Sequence, residues 1–298
     1  MNSRQFDLSL DPTLGAQTEK KSTATTLAEG LEKTFIIAYK EPTEVLESAL
    51  KQSGLECEVL RQQHQPEYKD YSPSYLCLLN HRRGWEIAMN QSKPTLIVEA
   101  DFVPVLEMGQ LPLPFNPMQE NVGISWLYTC APQIYSVSPE GYAEGFSTAM
   151  VAYIVTPAAA KCLLELEAEI RENPGPKAYS SWDSTIDKFL RERKFQNYVP
   201  FRNYGEHGGK PNLEHYKHGL SKTHRADVLY GKLAFMPLYV EVEKNHQLQL
   251  LSARLQARLK GMARLAVGKY LRLPILQNSS SPQRLLRFAI SRQFTFRL

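Results

Sequence analysis

The stretch PTLIVEADFVPV, Pro94 to Val105, decides the fold that the sequence predicts. Its apolar run from Thr95 to Val98 lies between polar residues, a pattern typical of a strand buried on both faces of a parallel sheet. Glu99 and Asp101 follow directly, and side chains two residues apart in an extended segment share a face. Because ligands bind beyond the carboxyl ends of strands in such sheets, we expect both carboxylates to project into a binding crevice.

Two carboxylates at one sheet edge indicate a particular chemistry. Carboxylate oxygens are preferred ligands of hard divalent cations, and such a cation suits the diphosphate of a nucleotide. The simpler interpretation of Glu99 and Asp101 is an acidic turn after a strand, without a ligand. Both interpretations are open on this stretch alone.

Strand and helix patterns alternate along the chain around this stretch. This is the rhythm of βαβ units, which build a parallel sheet covered by helices, so we predict an α/β fold. Gly84, inside a predicted helix, lowers helix stability unless close packing requires it. The predicted strands are residues 33–40, 55–60, 94–101, 122–130 and 146–156, and the predicted helices are residues 43–53, 76–88, 157–172, 181–193 and 253–273.

Charge is distributed unevenly along the 298 residues. The chain has 35 Lys and Arg and 31 Asp and Glu, yet residues 253–298 contain ten of the basic residues and none of the acidic ones. We expect a mobile lead-in (1–32), a domain (33–248) and a basic amphipathic helical tail (249–298). The tail suits an anionic membrane surface, or it packs on the domain with its charges in solvent. Nucleic acid is not an expected partner, because no aromatic stacking platform accompanies the charge.

Cysteine usage and hydropathy indicate the compartment. The four cysteines form no CxxC pair, which argues against a zinc ribbon or a disulfide framework and fits a reducing compartment. No apolar run is long enough for a membrane span, and the first residues lack the pattern of a secretory signal. We expect a cytoplasmic protein, peripheral on the inner membrane face if the tail binds lipid.

The segment CLLNHRRGWEIAMNQSKPTLIVEADFVPV resembles the signature of glycosyltransferase family 25, the lipopolysaccharide and collagen sugar transferases. That family has Cys-x-x-Ser-His, then a helix with an aromatic residue, then a strand ending in Glu-Asp-Asp. GYAEGFSTAMVAYIVTPAAAKCLLE (141–165) and SSWDSTIDKFL resemble its later Gly-containing segment and its helix opened by Asp. The resemblance covers roughly residues 33–205. The matching positions are Cys77, Asn80, His81, Trp85, Glu99, Ala100, Asp101 and Asp183.

The resemblance implies a GT-A fold, a mixed and mainly parallel sheet that binds a nucleotide sugar with Mn²⁺ or Mg²⁺. It further implies an inverting glycosyltransferase that moves a sugar to a glycan or lipid-linked acceptor, as in cell-surface polysaccharide or lipopolysaccharide synthesis. Inversion needs a carboxylate as general base, for which Asp183 is the first candidate and Glu144 the second. Asp183 could instead belong to a helix cap begun at Ser181, and Asp187 is expected to face solvent.

The resemblance also suggests binding residues. Asp101 is the first candidate metal ligand and Glu99 the second, although Glu99 could hold the ribose hydroxyls instead. His81 is expected to support the strand end by a hydrogen bond at the nucleotide-sugar site, or to be an ordinary core histidine. Gly145, in the Gly-containing segment, is assigned to the nucleotide sugar.

Three positions or segments depart from the family pattern. Asn80 replaces the usual Ser, Ala100 replaces the central Asp of Glu-Asp-Asp, and the opening strand FIIAYKE lacks the Asn-Leu and paired Arg of the family. Ala100 removes one carboxylate near the metal. An alternative hypothesis is therefore an inactive relative that binds a glycan or nucleotide, or an adaptor at a membrane surface.

The loop YGEHGGKPN (204–212) suggests further contacts. Its glycines would let backbone amides approach an anion, so Gly208, Gly209 and Lys210 are assigned to the nucleotide sugar. Some GT-A enzymes have a late His that completes the metal shell, and the resemblance implies this role for His207. A glycine turn with an exposed His is the alternative. A zinc site from the histidines of this region is disfavoured, because zinc sites usually include Cys or tight spacing. The other histidines are His215, His218 and His224, and the other candidate phosphate-binding cations are Lys217, Lys222 and Arg225.

Overall fold

The computed structural model describes residues 25–210, 224–240 and 245–294. Lys217, Lys222, His215 and His218 lie outside the described residues. The described strands are β1 (Lys33–Ala38), β2 (Cys57–Arg61), β3 (Thr95–Glu99), β4 (Phe102–Pro104), β5 (Val122–Trp126), β6 (Gln133–Val137), β7 (Ala143–Phe146), β8 (Ala152–Val155), β9 (Gln196–Val199) and β10 (Gly205–His207). The described α-helices are α1 (Leu27–Gly30), α2 (Glu44–Gln52), α3 (Pro73–Ala88), α4 (Pro157–Glu172), α5 (Ile186–Glu192), α6 (His246–Ala266), α7 (Leu273–Asn278) and α8 (Pro282–Phe294).

Eight of these strands form one sheet in the order β2-β1-β3-β8-β5-β9-β7-β6. The strand β1 pairs in parallel with β2 and β3, and β5 pairs in parallel with β9. The strands β8 and β7 are antiparallel to their neighbours, so six of the eight strands run in one direction. The predicted mixed, mainly parallel sheet is confirmed.

Burial explains why β3 lies inside this sheet. Leu96, Ile97 and Val98 are all fully buried, because β3 has a strand on each side and side chains packed on both faces. Ile97 belongs to the apolar cluster that includes residues of α3 and α4, whereas Leu96 and Val98 belong to the cluster that includes residues of α2. A Cβ at Gly84 would lie 2.8 Å from Cδ1 of Ile97, so close packing of α3 on β3 requires the glycine.

Several elements differ from the predictions. The predicted strand 146–156 is shorter, since only Ala152–Val155 is extended, and β4, β6, β7, β9 and β10 were not predicted. The predicted helix 181–193 is a short 3₁₀ turn, Trp182–Ser184, followed by α5, and the Ser181 side chain makes no capping hydrogen bond. The cap interpretation of Ser181 is therefore wrong.

The basic tail packs on the body of the protein. Arg254 of α6 bonds to the buried Glu206 at 2.7 Å, and Arg292 of α8 forms an ion pair with Asp227. The backbone N–H of Ile134 donates to the carbonyl of Tyr270 at 3.0 Å. These contacts favour the packed alternative for much of the tail, and α6 begins before the expected boundary at residue 249.

The last residues of the expected lead-in are also structured. Thr26 caps α1 through a capping box with Glu29, and Leu27 is fully buried. Among the helices that the structure describes, none combines the length and the hydropathy needed to cross a bilayer.

Candidate active site

The turn after β3 places Asp101 beside His207. The short strands β4 and β10 are antiparallel with His207 opposite Phe102, and the Gly208 amide donates to the Asp101 carbonyl at 2.8 Å. This register brings His207 Nε2 to 3.0 Å from Asp101 Oδ2, although 106 residues separate the two side chains in sequence. The pairing of β4 with β10 therefore builds a carboxylate–imidazole pair at the carboxyl end of β3.

Glu99 is held by a different set of side chains. The Trp85 indole N–H donates to the Tyr153 hydroxyl at 2.8 Å, and that hydroxyl lies 2.9 Å from His81 Nδ1. His81 Nε2 lies 3.2 Å from Glu99 Oε1. The arrangement that satisfies every group has Tyr153 donating to Nδ1 and Nε2–H donating to Glu99. The chain of bonds from α3 and β8 thus orients Glu99 as a carboxylate at the strand end.

The structure separates the metal ligands that were predicted together. Asp101 pairs with His207, whereas Glu99 pairs with His81, because residue 100 begins a turn instead of continuing the extended strand. Among the described residues, the group of three or more His, Cys and carboxylate ligand atoms within 4.8 Å of one another is Cys77, His81 and Glu99. The expectation that Glu99 and Asp101 present one joint face is therefore not met.

The Asp101–His207 pair fits a divalent cation in two respects. Asp101 Oδ1 and His207 Nδ1 are both buried without a hydrogen-bond partner. A Cβ at Gly209 would lie 2.3 Å from Asp101 Oδ2 and 2.9 Å from His207 Nε2, so the glycine keeps this corner clear. One carboxylate and one imidazole are suitable ligands for Mn²⁺ or Mg²⁺ when substrate phosphates and water complete the shell.

Electrostatics favour a charged His207 in this corner. Burial opposes the protonated form, but the Asp101 carboxylate and its hydrogen bond outweigh burial and raise the pKa of His207, and Glu99 adds to the effect. The raised pKa favours the protonated ring, and a cation at this corner would compete with that proton.

Asp183 lies across the cavity from this pair. It belongs to the 3₁₀ turn Trp182–Ser184, whose Trp182 ring packs 5.0 Å from the ring of His81. Burial raises the pKa of Asp183 to about 6, the Ser184 amide hydrogen bond opposes the increase, and the Glu99 charge adds to it. A carboxyl with a pKa near the working pH is suited to general base chemistry.

Asp187, expected in solvent, has a side chain only 5% exposed. It accepts hydrogen bonds from the Tyr135 hydroxyl at 3.0 Å and from the Asn197 amide at 3.0 Å. The expectation was wrong because α5 places this residue against β9, where its hydrogen bond with Asn197 connects the helix to the strand.

Two cavities meet along the end of β3. One, of about 670 Å³, runs along the end of β1 past Tyr39, Tyr68 and Tyr71. The other, of about 600 Å³, contains Asp183, His207, Gly209 and Lys210. Both cavities are lined by Pro73, Cys77, Glu99 and Asp101. The cleft thus has the predicted carboxylates in its middle and the predicted base on one side.

Glu144 and Gly145 are not among the residues that line these two cavities. They lie on β7, which is separated from β3 by β9, β5 and β8. A Cβ at Gly145 would lie 2.3 Å from the Gln133 carbonyl oxygen, so this glycine serves close strand packing. Glu144 and Gly145 are close to β8 in sequence but not in the sheet, because the chain crosses the sheet between β7 and β8.

Gly208 also has a structural role. Its amide is bonded to the Asp101 carbonyl, and a Cβ there would lie 2.6 Å from Val103 Cγ2. That amide is therefore not available to a phosphate. Lys210 is exposed at the cavity wall.

Arg225 holds the loop that carries His207. Its guanidinium donates to the carbonyls of His207 and Gly209 at 3.0 and 3.1 Å, and it lies 3.7 Å from the centre of the Tyr239 ring. The sequence suggested Arg225 as a phosphate-binding cation, but its position makes it a positioning residue. Tyr153 was not predicted as a site residue, because the sequence of a buried strand does not show which hydrogen bonds a tyrosine hydroxyl makes.

No protein-family model and no curated protein matches the chain. Solved structures resemble it, among them three that are 9 to 11% identical to it. A glycosyltransferase involved in glycosylation of the major capsid of PBCV-1 has a TM-score of 0.39, over 57% of this chain and 83% of that one. A mutant Drosophila beta-1,4-galactosyltransferase 7 in complex with manganese, UDP-Gal and xylobiose has a TM-score of 0.34, over 64% and 76%. A putative glucose-1-phosphate thymidylyltransferase from Bacillus anthracis, in complex with sucrose, has a TM-score of 0.29, over 55% and 66%. Because all three TM-scores are below 0.5, the likenesses support no inference about this chain.

Proposed function

We propose that the protein is a metal-dependent, inverting glycosyltransferase that moves a sugar from a nucleotide sugar to a glycan or lipid-linked acceptor. One observation supports this proposal above the others. The Asp101–His207 pair, with a buried and unpartnered carboxylate oxygen, lies at the junction of two cavities, and Asp183 is a partly protonated carboxyl in one of them. A glycosyltransferase needs a site for the donor, a cation beside the donor's diphosphate and a base beside the acceptor.

The cavity along β1 suits the nucleotide. Tyr39, Tyr68 and Tyr71 supply aromatic surface on which a nucleobase can stack, and Tyr68 and Tyr71 lie 5.4 Å apart between ring centres. Glu99 opens onto this cavity, where a carboxylate can accept hydrogen bonds from ribose hydroxyls. We assign the nucleoside to this side of the junction.

Asp101 and His207 would hold Mn²⁺ or Mg²⁺, and the cation neutralises the charge that develops on the departing nucleoside diphosphate. Lys210 at the cavity wall adds a positive charge for the same group. Ala100 packs on an apolar cluster and also lines the cavity along β1, where it supplies no carboxylate, so the proposed cation site uses Asp101 and His207.

Asp183 is the proposed general base. In an inverting transfer the acceptor hydroxyl attacks the anomeric carbon from the face opposite the leaving group, and its proton passes to a carboxylate oxygen. With a pKa of about 6, Asp183 is mostly ionised at neutral pH and is still basic enough to take that proton. The cavity that holds Asp183 is therefore assigned to the transferred sugar and the acceptor.

Residues of the tail support a location at the inner membrane face. Leu248, Leu251, Leu255 and Leu259 are each at least 50% exposed and recur at helical spacing along one face of α6. Such a face on a segment without acidic residues suits an anionic lipid surface. A lipid-linked acceptor would then meet the cleft at the membrane, and the protein would be cytoplasmic and peripheral.

The test is calorimetry of the full chain with a panel of UDP and other nucleotide sugars, with and without Mn²⁺, followed by assays of donor hydrolysis. We expect one donor to bind only with Mn²⁺, and Asp101→Asn to abolish that dependence. The control is Glu120→Gln, an exposed carboxylate outside both cavities. If neither Mn²⁺ nor any nucleotide sugar binds, the proposal is wrong.

A second candidate is a non-catalytic relative that binds a glycan or a nucleotide. It is favoured by the contacts themselves, because Asp101 and Glu99 are each already bonded to a histidine. Nucleotide binding that is indifferent to Mn²⁺, with no turnover of any bound donor, would favour this candidate over the enzyme.

A further inference from the structure

A third cavity, of about 560 Å³, lies between α6 and the body of the protein. Ala257 and Gly261 of α6 form one wall, and Thr129 and Ala131 form part of the other. Cys130 and His224 line both this cavity and the one that contains Asp183. The α6 cavity therefore adjoins the side of the cleft that we assign to the acceptor, and not the nucleotide side.

The lining of the α6 cavity is cationic. Lys260, Arg264 and Arg225 lie in its walls, and among the described lining residues Asp227 is the single acid. Burial opposes ionisation of Asp227, but Arg292 outweighs it and holds its pKa at about 2. Asp227 is thus a carboxylate already neutralised by an ion pair with Arg292, and the three cations of the cavity have no competing free acid among those lining residues.

Two of the three cations can bind a ligand. Arg225 is committed to backbone carbonyls of the His207 loop. Arg264 donates one N–H to the Ala131 carbonyl at 3.1 Å, while its Nε is buried without a hydrogen-bond partner. Lys260 is exposed along the same helix, one turn before Arg264. An ammonium and a guanidinium at (i, i+4) line one cavity, which is an arrangement suited to an anion.

Cys130 lines both the cationic cavity and the cavity that contains Asp183. Burial raises the pKa of the Cys130 thiol to about 11, while a Thr148 hydrogen bond and the charges of Lys260 and Arg264 lower it and that of Asp183 raises it. The same thiol is therefore within electrostatic range of the proposed base and of both cations. An anion bound between Lys260 and Arg264 would lie in the cavity that adjoins the one assigned to the acceptor.

We propose that the α6 cavity is an anion-binding subsite, in which Lys260 and Arg264 bind a phosphate or carboxylate group of the acceptor. The inference rests on the proposed function in one respect, since it takes the Asp183 cavity as the acceptor side. It narrows the acceptor to an acidic or phosphorylated glycan or a phosphate-linked lipid carrier. Neutral oligosaccharides would lack the group that this subsite recognises.

The test is calorimetry of the full chain without divalent cations, using glucose 1-phosphate, glucuronate and glucose as probes. We expect the two anionic sugars to bind at least about tenfold more tightly than glucose, since each charge-assisted bond contributes about one factor of ten or more. The tighter of the two identifies the natural anion as phosphate or carboxylate. Equal affinity for all three sugars would overturn the proposal.

Single variants locate the binding to this cavity. Lys260→Ala and Arg264→Gln should each weaken binding of the preferred anionic sugar about tenfold, and Lys260→Arg should retain it. Lys269→Ala, an exposed lysine that does not line the cavity, is the matched control and should bind as the unmodified chain does. If Lys260→Ala binds the anionic sugar unchanged while remaining folded by thermal melting, the assignment is wrong.

A parallel titration separates this proposal from the function of the cleft. Lys260→Ala should bind UDP with Mn²⁺ as tightly as the unmodified chain, because Lys260 does not line the nucleotide cavity. Anionic sugars that bind through Lys260 while UDP and Mn²⁺ do not bind would support the subsite and overturn the glycosyltransferase. UDP and Mn²⁺ that bind, with no preference for anionic sugars, would overturn the subsite alone.

Discussion

Gly209 is the residue on which access to the proposed metal corner depends. Any side chain there would overlap the Asp101 carboxylate, since a Cβ would lie 2.3 Å from its Oδ2. The neighbouring atoms are the proposed ligands themselves, so relief of the overlap must move Asp101 or His207. A single methyl group at this position therefore tests the geometry without changing any charge.

We predict that Gly209→Ala lowers the affinity for Mn²⁺ by at least about tenfold, because a displaced carboxylate loses a ligand bond. The measurement is Mn²⁺ titration by calorimetry in the presence of UDP. The control is Gly231→Ala, since nothing lies within 4 Å of a Cβ at that exposed glycine. Equal Mn²⁺ affinity in the two variants would contradict the placement of the metal.

Asp183 gives a pH dependence whose direction follows from its pKa. Its pKa in the folded protein, about 6, is above the ordinary value of 3.8, so the folded state binds this proton more tightly than the unfolded state. Stability linked to Asp183 is therefore greatest below about pH 4 and falls as the pH rises toward 6. Asp183→Asn should remove this loss and stabilise the protein by about 2 kcal/mol at pH 7.5 relative to pH 4.

Thermal melting of both proteins at the two pH values measures that difference. The same variant should lose sugar transfer, because an amide cannot accept the acceptor proton. Transfer by the unmodified protein should decline as the pH falls below 6. A variant that is no more stabilised at pH 7.5 than at pH 4 would contradict the buried, pKa-shifted carboxyl.

At the scale of elements, α6 has two faces with different partners. Its inner face packs on the body through Ala257, Gly261 and the Arg254–Glu206 ion pair. Its outer face exposes leucines along the helix, from Leu248 to Leu259. Removal of the whole tail would disturb both faces, so surface substitutions on α6 are the cleaner test of lipid binding.

We predict that the double variant Leu251→Ser and Leu255→Ser reduces binding to vesicles containing anionic phosphatidylglycerol by about tenfold, because two apolar side chains no longer enter the interface. Vesicle co-sedimentation measures the change, and neutral phosphatidylcholine vesicles show the contribution of charge. Val45→Ser, an equally exposed apolar residue on α2, is the control. If the double variant and the control sediment alike, α6 does not face lipid.

At the scale of the whole molecule, the C-terminal helices are part of one folded body. Arg292 is 1% exposed and pairs with Asp227, to which Gln293 also donates at 2.8 Å. Phe288 of the same helix packs 5.1 Å from the ring of Phe201. The tail that the charge distribution marked as separate therefore contributes to the stability of the sheet it covers.

We predict that Arg292→Leu lowers the free energy of unfolding by about 3–5 kcal/mol, because it leaves the Asp227 carboxylate buried without its partner. Urea denaturation at pH 7 measures the loss, and the exposed Arg287→Leu is the control. Since Arg292 holds the pKa of Asp227 at about 2, below the ordinary 3.8, the stabilisation is present above pH 4 and is lost as the pH falls toward 2. A loss no larger than that of the control would mean that the tail is dispensable.

Local pattern predicted the elements that one segment defines by itself. The apolar run of β3, the spacing of α3 and the Pro-initiated α4 are all visible in the sequence, because strand and helix periodicities are local properties. Asp101 and Asp183 line one cavity, although only Asp101 follows a strand of the sheet. The sequence also predicted that Gly84 lowers helix stability unless it allows close packing, and in the structure Gly84 packs closely on Ile97.

Tertiary structure decided which side chains touch. The sequence placed Glu99 and Asp101 on one face, but the turn at residue 100 separated them, giving Glu99 to His81 and Asp101 to His207. Asp101 and His207 are 106 residues apart in sequence, and the pairing of β4 with β10 brings them into contact. Both strands are too short to show an alternating pattern in the sequence. Likewise Glu144 lies on β7, which three strands separate from β3 and the cleft. Long-range pairing depends on the register of whole strands, so residue types and spacing alone do not determine it.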